Sequence, residues 1–311
     1  MALDSAADLA SGADVYVTLE PCVHVGRTPP CVDALVAAGV RRVIIGVADP
    51  NHEAAGGAQR LREAGVEVQF AADAGAFEEL NSGWLHRITT GRPLVTVKVG
   101  LSLDAHGCFE PAERASITGT SGAEVTRRLR AGSDAVLVSA VTVIADDPEL
   151  TVRDADGNLA DRQPLRVVLV RNQPPNPRAR LFTDEVAPTL ILAVGTDPGT
   201  CDAIPNSIDR HLCSGSPLKD ALAALGERGV GDLLVEPGSR LFSALWSEGL
   251  MDRLVTVTAG GMAGAQAPAL FVGGPDRIAS SLAHRMMPLE AGILGDVSVT
   301  VWEPTTGSDE V

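Results

Sequence analysis

Short aliphatic runs, each bounded by turn residues and separated by segments of helical period, constrain this chain more than any other feature. Val43 to Val47 reads Val-Ile-Ile-Gly-Val, and Gly56 through Gly65 then carries a helical pattern that ends before Val66-Glu-Val68. Strand, helix and strand in that order predict a layered α/β fold. Phe77 to Ile88 reads as one amphipathic helix; Thr89-Thr-Gly-Arg-Pro93 breaks it and marks a domain boundary. Leu94-Val-Thr-Val-Lys-Val99 then opens a second domain. A length of 311 residues leaves ample chain for two cores. The expected domains are 1–92 and 93–303, followed by a polar, disordered tail at 304–311.

Charge and composition exclude several classes of partner. The formal net charge is -15, and no segment clusters the Lys and Arg that a nucleic-acid surface needs. Anionic small molecules must therefore be caught by individual arginines, which a screening length of about 8 Å permits despite the global charge. Neither an apolar run near the membrane-spanning length nor a charged, apolar, small-residue leader occurs, so no span or signal peptide is expected. Five cysteines without a framework pattern fit a reducing cytoplasm.

Two of those cysteines lie in a distinctive loop, Pro21-Cys22-Val-His24-Val-Gly-Arg27-Thr28-Pro-Pro-Cys31, reached through the strand-like stretch Val15 to Glu20. A zinc base deaminase joins a His-x-Glu segment to a downstream Pro-Cys-x-x-Cys; three ligands hold the metal and its fourth position activates water. Only the cysteine half is present, with its second thiol displaced by an insertion. Cys22 and Cys31 are thus candidate zinc ligands in an incomplete set, and the other half is expected upstream of Met1. His24 reads as a loop residue near a substrate, not a ligand. Without metal the pair would be two buried thiols. Cys108, Cys201 and Cys213 lack ligand spacing, and His52, His86, His106, His211 and His284 read as surface or packing residues.

The loop and its surroundings, YVTLEPCVHVGRTPPC followed by AGVRRVIIGVADPNHEAAG and AGVEV, resemble the deaminase half of the bifunctional deaminase/reductase of riboflavin biosynthesis, the RibD family. From Pro93 onward the resemblance continues through the reductase half. Four patches carry it: VKVGLSLDA at 97–105, Arg130 through SAVTVIADDPELTVR to Arg153, PLRVVLV at 164–170, and LLVEPGSRLFSALWSEGLMDRL at 233–254. The resemblance implies a truncated cytidine-deaminase-like domain followed by a dihydrofolate-reductase-like domain. It implies NADPH as hydride donor and a phosphoribosylaminopyrimidine as substrate, with the ribosyl chain reduced to ribityl. Arg130, Leu150, Arg153 and Glu236 fall on substrate-binding positions, and guanidinium geometry suits a bidentate grip on phosphate. Gly100, Thr142, Asp146, Gly238, Ser239, Arg240 and Leu241 fall on cofactor-binding positions; the glycine turn at 238 offers backbone N–H groups to a phosphate. No catalytic residue is identified, and a homodimer is compatible with the family.

Departures from the family pattern are specific. Ala105 replaces a glycine, Ser116 stands where a Trp is usual, Arg114 takes a serine position, and Pro237 removes a backbone donor. They leave two further readings open: a full bifunctional enzyme with a mis-assigned start, and a non-catalytic nucleotide-binding paralogue.

Overall fold

The computed structural model describes residues 2–26, 28–107, 116–154, 156–195, 198–214, 216–272 and 285–305. It divides into two compact units, Met1–Gly91 and Arg92–Val311.

The first unit is built on three parallel strands, β1 (Asp14–Leu19), β2 (Arg42–Val47) and β3 (Glu67–Phe70), paired in that order. Helix α1 (Ala2–Ala6) precedes β1, α2 (Cys31–Ala37) joins β1 to β2, and α3 (Gly57–Glu63) joins β2 to β3. Alternation in β2 sends Val43 and Ile45 into a core with Val32 and Leu35 of α2 and Leu61 of α3. Burying each such side chain contributes about 1.5–3 kcal/mol. Glu20, at the end of the predicted first strand, is buried as an anchor: its carboxylate accepts from Asp49 N at 3.1 Å and Ala58 N at 2.8 Å. The single helix expected over 77–88 is two helices, α4 (Gly75–Leu80) and α5 (Ser82–Thr90). They meet at Asn81, whose backbone N–H donates to Phe77 O and Glu78 O, both at 3.2 Å, and whose side-chain amide also donates to Phe77 O at 2.7 Å.

The second unit opens with β4 (Leu94–Leu101), followed by α6 (Gly119–Gly132), β5 (Ala135–Ser139), α7 (Ala140–Asp146) and β6 (Leu165–Val170). Next come α8 (Arg180–Thr183), β7 (Thr189–Val194), β8 (Asp209–Cys213), α9 (Pro217–Glu227), β9 (Asp232–Val235) and α10 (Ser239–Ser247). Strands β10 (Arg253–Ala259), β11 (Met286–Leu294) and β12 (Val297–Pro304) complete the described chain. These strands form one nine-stranded sheet in the order β11-β12-β10-β4-β9-β5-β6-β7-β8, parallel from β10 to β8 with an antiparallel β11-β12 hairpin at one edge.

Both faces of its central strands are covered, which explains their unbroken aliphatic runs. On one face Val97, Leu137, Val167, Leu192 and Leu233 pack with Leu222 and Leu225 of α9 and Leu241 and Leu245 of α10. On the other, Val136, Val138, Val168, Ile191 and Leu234 pack with Val143 of α7 and Leu181 and Phe182 of α8. Arg92 clusters with this unit, its fork held by Asp252 at 2.6 and 2.8 Å. The structured chain runs past residue 303: Pro304 closes β12, and Thr305 N donates to Arg285 O at 2.9 Å. The rest of the expected tail, 306–311, lies outside the described residues.

One buried cation positions the wall of the site. Arg166 of β6 is 1% exposed, and its guanidinium reaches Asp184 Oδ2 at 2.7 Å, Thr189 Oγ1 at 3.0 Å, Ala187 O at 2.6 Å and Glu149 O at 3.3 Å. A charge so deep is tolerated only when paired and hydrogen-bonded. Here the same contacts tie the loop after α7 to the loop before β7.

Candidate active site

Outside the carboxyl ends of β5 and β9, residues of α6, the loop after α7 and the start of α8 enclose a cavity of about 560 Å³. Such crevices are where open α/β sheets bind ligands. Its lining includes Arg127, Arg130, Glu149, Leu150, Thr151, Arg153, Arg180 and Glu236. All four substrate-binding positions named from the sequence therefore converge on one cavity, although 106 residues separate Arg130 from Glu236.

Their arrangement differs from an open arginine clamp. The fork of Arg130 is engaged by Glu236, with Nε–Oε1 at 2.6 Å and Nη2–Oε2 at 2.9 Å, and its Nη1 donates to Thr151 O at 3.4 Å. A bidentate carboxylate partner orients the guanidinium but also occupies the geometry expected for phosphate. Glu236 itself is fixed where β9 ends by its N–H to Leu137 O at 3.0 Å. Arg153 presents Nη2 to Glu149 Oε2 at 3.0 Å and Nη1 to Gly157 O at 3.0 Å. The Leu150 side chain is 1% exposed and belongs to the core beneath, so its backbone, in the left-handed region at φ 54°, faces the cavity.

Beneath this cluster lies Lys98 of β4, which the sequence reading left without a role. Burial pushes its ammonium below the ordinary lysine range; the Glu236 carboxylate opposes that shift and the Arg130 guanidinium reinforces it. Strand alternation places Lys98 and Gly100 on the same face of β4, away from Val97 and Val99. Arg180 is a second residue missed from sequence. Its signal, an Arg after a Pro-rich loop, is indistinguishable from a solvated surface charge until α8 folds against the cavity.

The cofactor positions are less concentrated. Ser139 caps α7, its Oγ accepting from Thr142 N at 3.3 Å and sitting 3.1 Å from Thr142 Oγ1. Asp146 is exposed at the last position of α7, outside the cavity lining. Gly100 has a packing reason for lacking a side chain, since a Cβ there would lie 3.2 Å from Thr118 Cγ2. Gly238 caps α10 without a side-chain hydrogen bond, and Arg240 is exposed. The Ser239 hydroxyl donates to Ala269 O at 2.8 Å, and Leu241 is 8% exposed and packs in the core. At these two residues only the backbone remains to meet a cofactor.

Three of the altered positions, Ala105, Ser116 and Pro237, lie within the described residues. Ala105 sits at φ 61°, so the turn keeps a backbone suited to glycine. Ser116 is exposed ahead of α6, while Arg114, Cys108 and His284 lie outside the described residues.

The cysteines of the first unit do come together: Cys31 N lies 3.5 Å from Cys22 Sγ. Their surroundings do not make a metal centre. Among the described residues no group of three or more His, Cys, Asp or Glu is placed to hold a metal. The Cys31 thiol is pushed up, first by local burial and then by neighbouring Cys22. Contrary to the buried thiols expected without metal, Cys31 is exposed.

A largely parallel sheet with an antiparallel edge hairpin, and an arginine-rich cavity at its carboxyl edge, define a dihydrofolate-reductase-like α/β enzyme. Residues 93–288 match the family model described as the RibD C-terminal domain. The chain is 38% identical over 287 residues to the riboflavin biosynthesis protein RibD of Escherichia coli, covering 86% of this chain and 76% of that protein. The structure of Acinetobacter baumannii RibD superposes with a TM-score of 0.86 at 33% identity, over 98% of this chain and 84% of that one. A Thermotoga maritima diaminohydroxyphosphoribosylaminopyrimidine deaminase/5-amino-6-(5-phosphoribosylamino)uracil reductase gives a TM-score of 0.83 at 26% identity, over 97% and 83% of the two chains. This chain belongs to the RibD family and is an enzyme of riboflavin biosynthesis. Among the described residues, no helix is long and apolar enough to cross a membrane.

Proposed function

We propose that this chain reduces 5-amino-6-(5-phosphoribosylamino)uracil to its ribitylamino product with NADPH, and that the chemistry resides in the second unit. The observation that carries the proposal is the pairing of Arg130 with Glu236 in one cavity of the RibD C-terminal domain, with Lys98 near enough to feel both charges. NADPH supplies a hydride to the anomeric carbon of the opened sugar. The protein positions that carbon and manages the accompanying proton. Lys98, an ammonium whose proton is loosened by burial, is the group suited to give that proton to the nitrogen or oxygen that accumulates charge. Glu236 opposes the burial-driven shift of Lys98 and holds the Arg130 fork in place.

In this reading Arg130, Arg153, Glu236 and the Leu150 backbone contact the substrate. Thr142, Asp146, Gly100 and the backbone of Gly238, Ser239, Arg240 and Leu241 face the cofactor. The start of α10 suits a cofactor phosphate because its cap lacks a side chain that would satisfy the first-turn amides. A second copy of the chain is a further partner in this reading. β11 is an outer strand of the sheet and leaves Met287, Leu289 and Ile293 exposed, a surface suited to pairing. The reading also places the enzyme in the cytoplasm, where its four described free cysteines would stay reduced.

Purified full-length chain mixed with NADPH and the phosphoribosylaminouracil should consume both and yield the ribitylamino product by mass spectrometry. NADPH binding without product from folded protein would reject the reading and favour a binding-only paralogue.

A further inference from the structure

We infer that Asp104 is a positioning residue for the cofactor: its carboxylate fastens the segment 261–272 as a strap between the end of β4 and the start of α10. The inference rests on the reductase reading above, which places Gly100 of β4 and residues 238–241 of α10 against NADPH. The sheet alone does not fix the spacing of those two elements. Strand β4 pairs with β9, the strand that leads into α10, only from Leu94 to Val97, and then runs on to Leu101 beside β10. Gly100 and Gly238 therefore lie beyond the last β4–β9 pair, and the chain that leaves β10 at Ala259 is what links their surroundings.

At its first end the strap is held by the loop after β4. Leu103 N donates to Gly261 O at 2.8 Å, and the Asp104 carboxylate accepts from Ala263 N through Oδ1 at 2.8 Å and from Gly264 N through Oδ2 at 2.7 Å. Two consecutive amides on the two oxygens of one carboxylate set orientation as well as distance. The carboxylate is aimed by its own loop. Ser102, 1% exposed, donates from Oγ to Asp104 Oδ1 at 2.6 Å and accepts from His106 N at 3.1 Å, while His106 Nδ1 lies 3.4 Å from Asp104 Oδ2. Ser102 N donates to His106 O at 3.0 Å, and His106 forms a β-bridge with Ala269 of the strap. At the other end α10 takes over: Ser239 Oγ donates to Ala269 O at 2.8 Å, and the buried Ser243 Oγ accepts from Val272 N at 2.8 Å while donating to Ser239 O at 2.7 Å. Ala267 is buried between these ends, and Leu270 and Phe271 pack against the core beneath. Asp104 is the only carboxylate in this set of contacts, so its removal opens the strap at the β4 end and leaves the α10 end fastened.

Titration calorimetry on the intact chain, with NADPH and with the phosphoribosylaminouracil, tests the assignment, and hydrogen exchange over 261–272 reports on the strap itself. Asp104→Ala should speed exchange in that segment and weaken NADPH binding by about 10-fold, the scale of one lost charge-assisted hydrogen bond, while binding of the phosphoribosylaminouracil stays at the wild-type level. Asp104→Asn, which keeps the size and one acceptor oxygen, should fall between wild type and Asp104→Ala, and decides the matter if the alanine variant does not fold. Ser243→Ala, at the other end of the strap, should show the same split between the two ligands. Unchanged NADPH affinity or unchanged exchange in the Asp104 variants, or equal losses for both ligands, would overturn the proposal. Failure of the reductase reading looks different: NADPH affinity would follow Asp104 while the wild type formed no ribitylamino product.

Discussion

Lys98 sits in the field of the paired Arg130 and Glu236. The folded-state value of Lys98 lies below its unfolded value of about 10.4, so its contribution to stability rises with pH between the two and is lowest below the folded value. Replacement by Met should therefore leave neutral-pH stability unchanged or raise it by about 1 kcal/mol while lowering kcat. Paired melting and turnover measurements check this. Because Glu236 raises the Lys98 value, Glu236→Gln should move the alkaline limb of the kcat profile to lower pH. A limb that stays in place or moves upward would separate Lys98 from the proton transfer. Ala105 offers a stability test remote from chemistry: a left-handed alanine costs roughly 1–2 kcal/mol, and Ala105→Gly should recover about half of that by chemical denaturation.

The spacing between β4 and α6 is set by small residues around a buried Thr118. A Cβ at Gly122 would fall 2.0 Å from Thr118 Oγ1, so Gly122→Ala must shift Thr118 at the N-cap of the helix that carries Arg130. The expected cost is about 1–3 kcal/mol in equilibrium unfolding, with a KM increase as Arg130 moves. Most elements were legible from sequence because their aliphatic runs are short and cleanly bounded. Val43 to Val47 lies within β2, and Leu165 to Val170 forms β6. The helix over 77–88 misled because the break at Asn81 leaves the hydrophobic period intact. Lys98 was hidden for a related reason. In an alternating strand it reads as the solvent side, whereas here both faces of β4 are covered. Arg166 was equally opaque, since a lone strand arginine does not reveal that Asp184, Thr189 and two carbonyls will surround it.

Across the whole chain, the sequence signals and the chemistry have separate addresses. The cysteine loop carries a distinctive motif, yet its described residues bring only Cys22 and Cys31 together. The second unit carries the match to the RibD C-terminal domain and gathers residues from α6, the loop after α7, α8 and β9 around one cavity. The four positions that gather at the cavity recur at family spacing, which is why the sequence could single them out. Which carboxylate pairs with which arginine was not legible, because that depends on how the loops fold together. A comparison of NADPH-dependent turnover of the phosphoribosylaminouracil by wild type, the Cys22→Ala/Cys31→Ala double variant and Arg130→Ala tests this division most directly. The account predicts wild-type kcat/KM for the double variant and a loss of about 100-fold or more for Arg130→Ala, the scale of a removed charge-assisted contact. Loss of reduction on removing the two thiols, or full activity without Arg130, would contradict it.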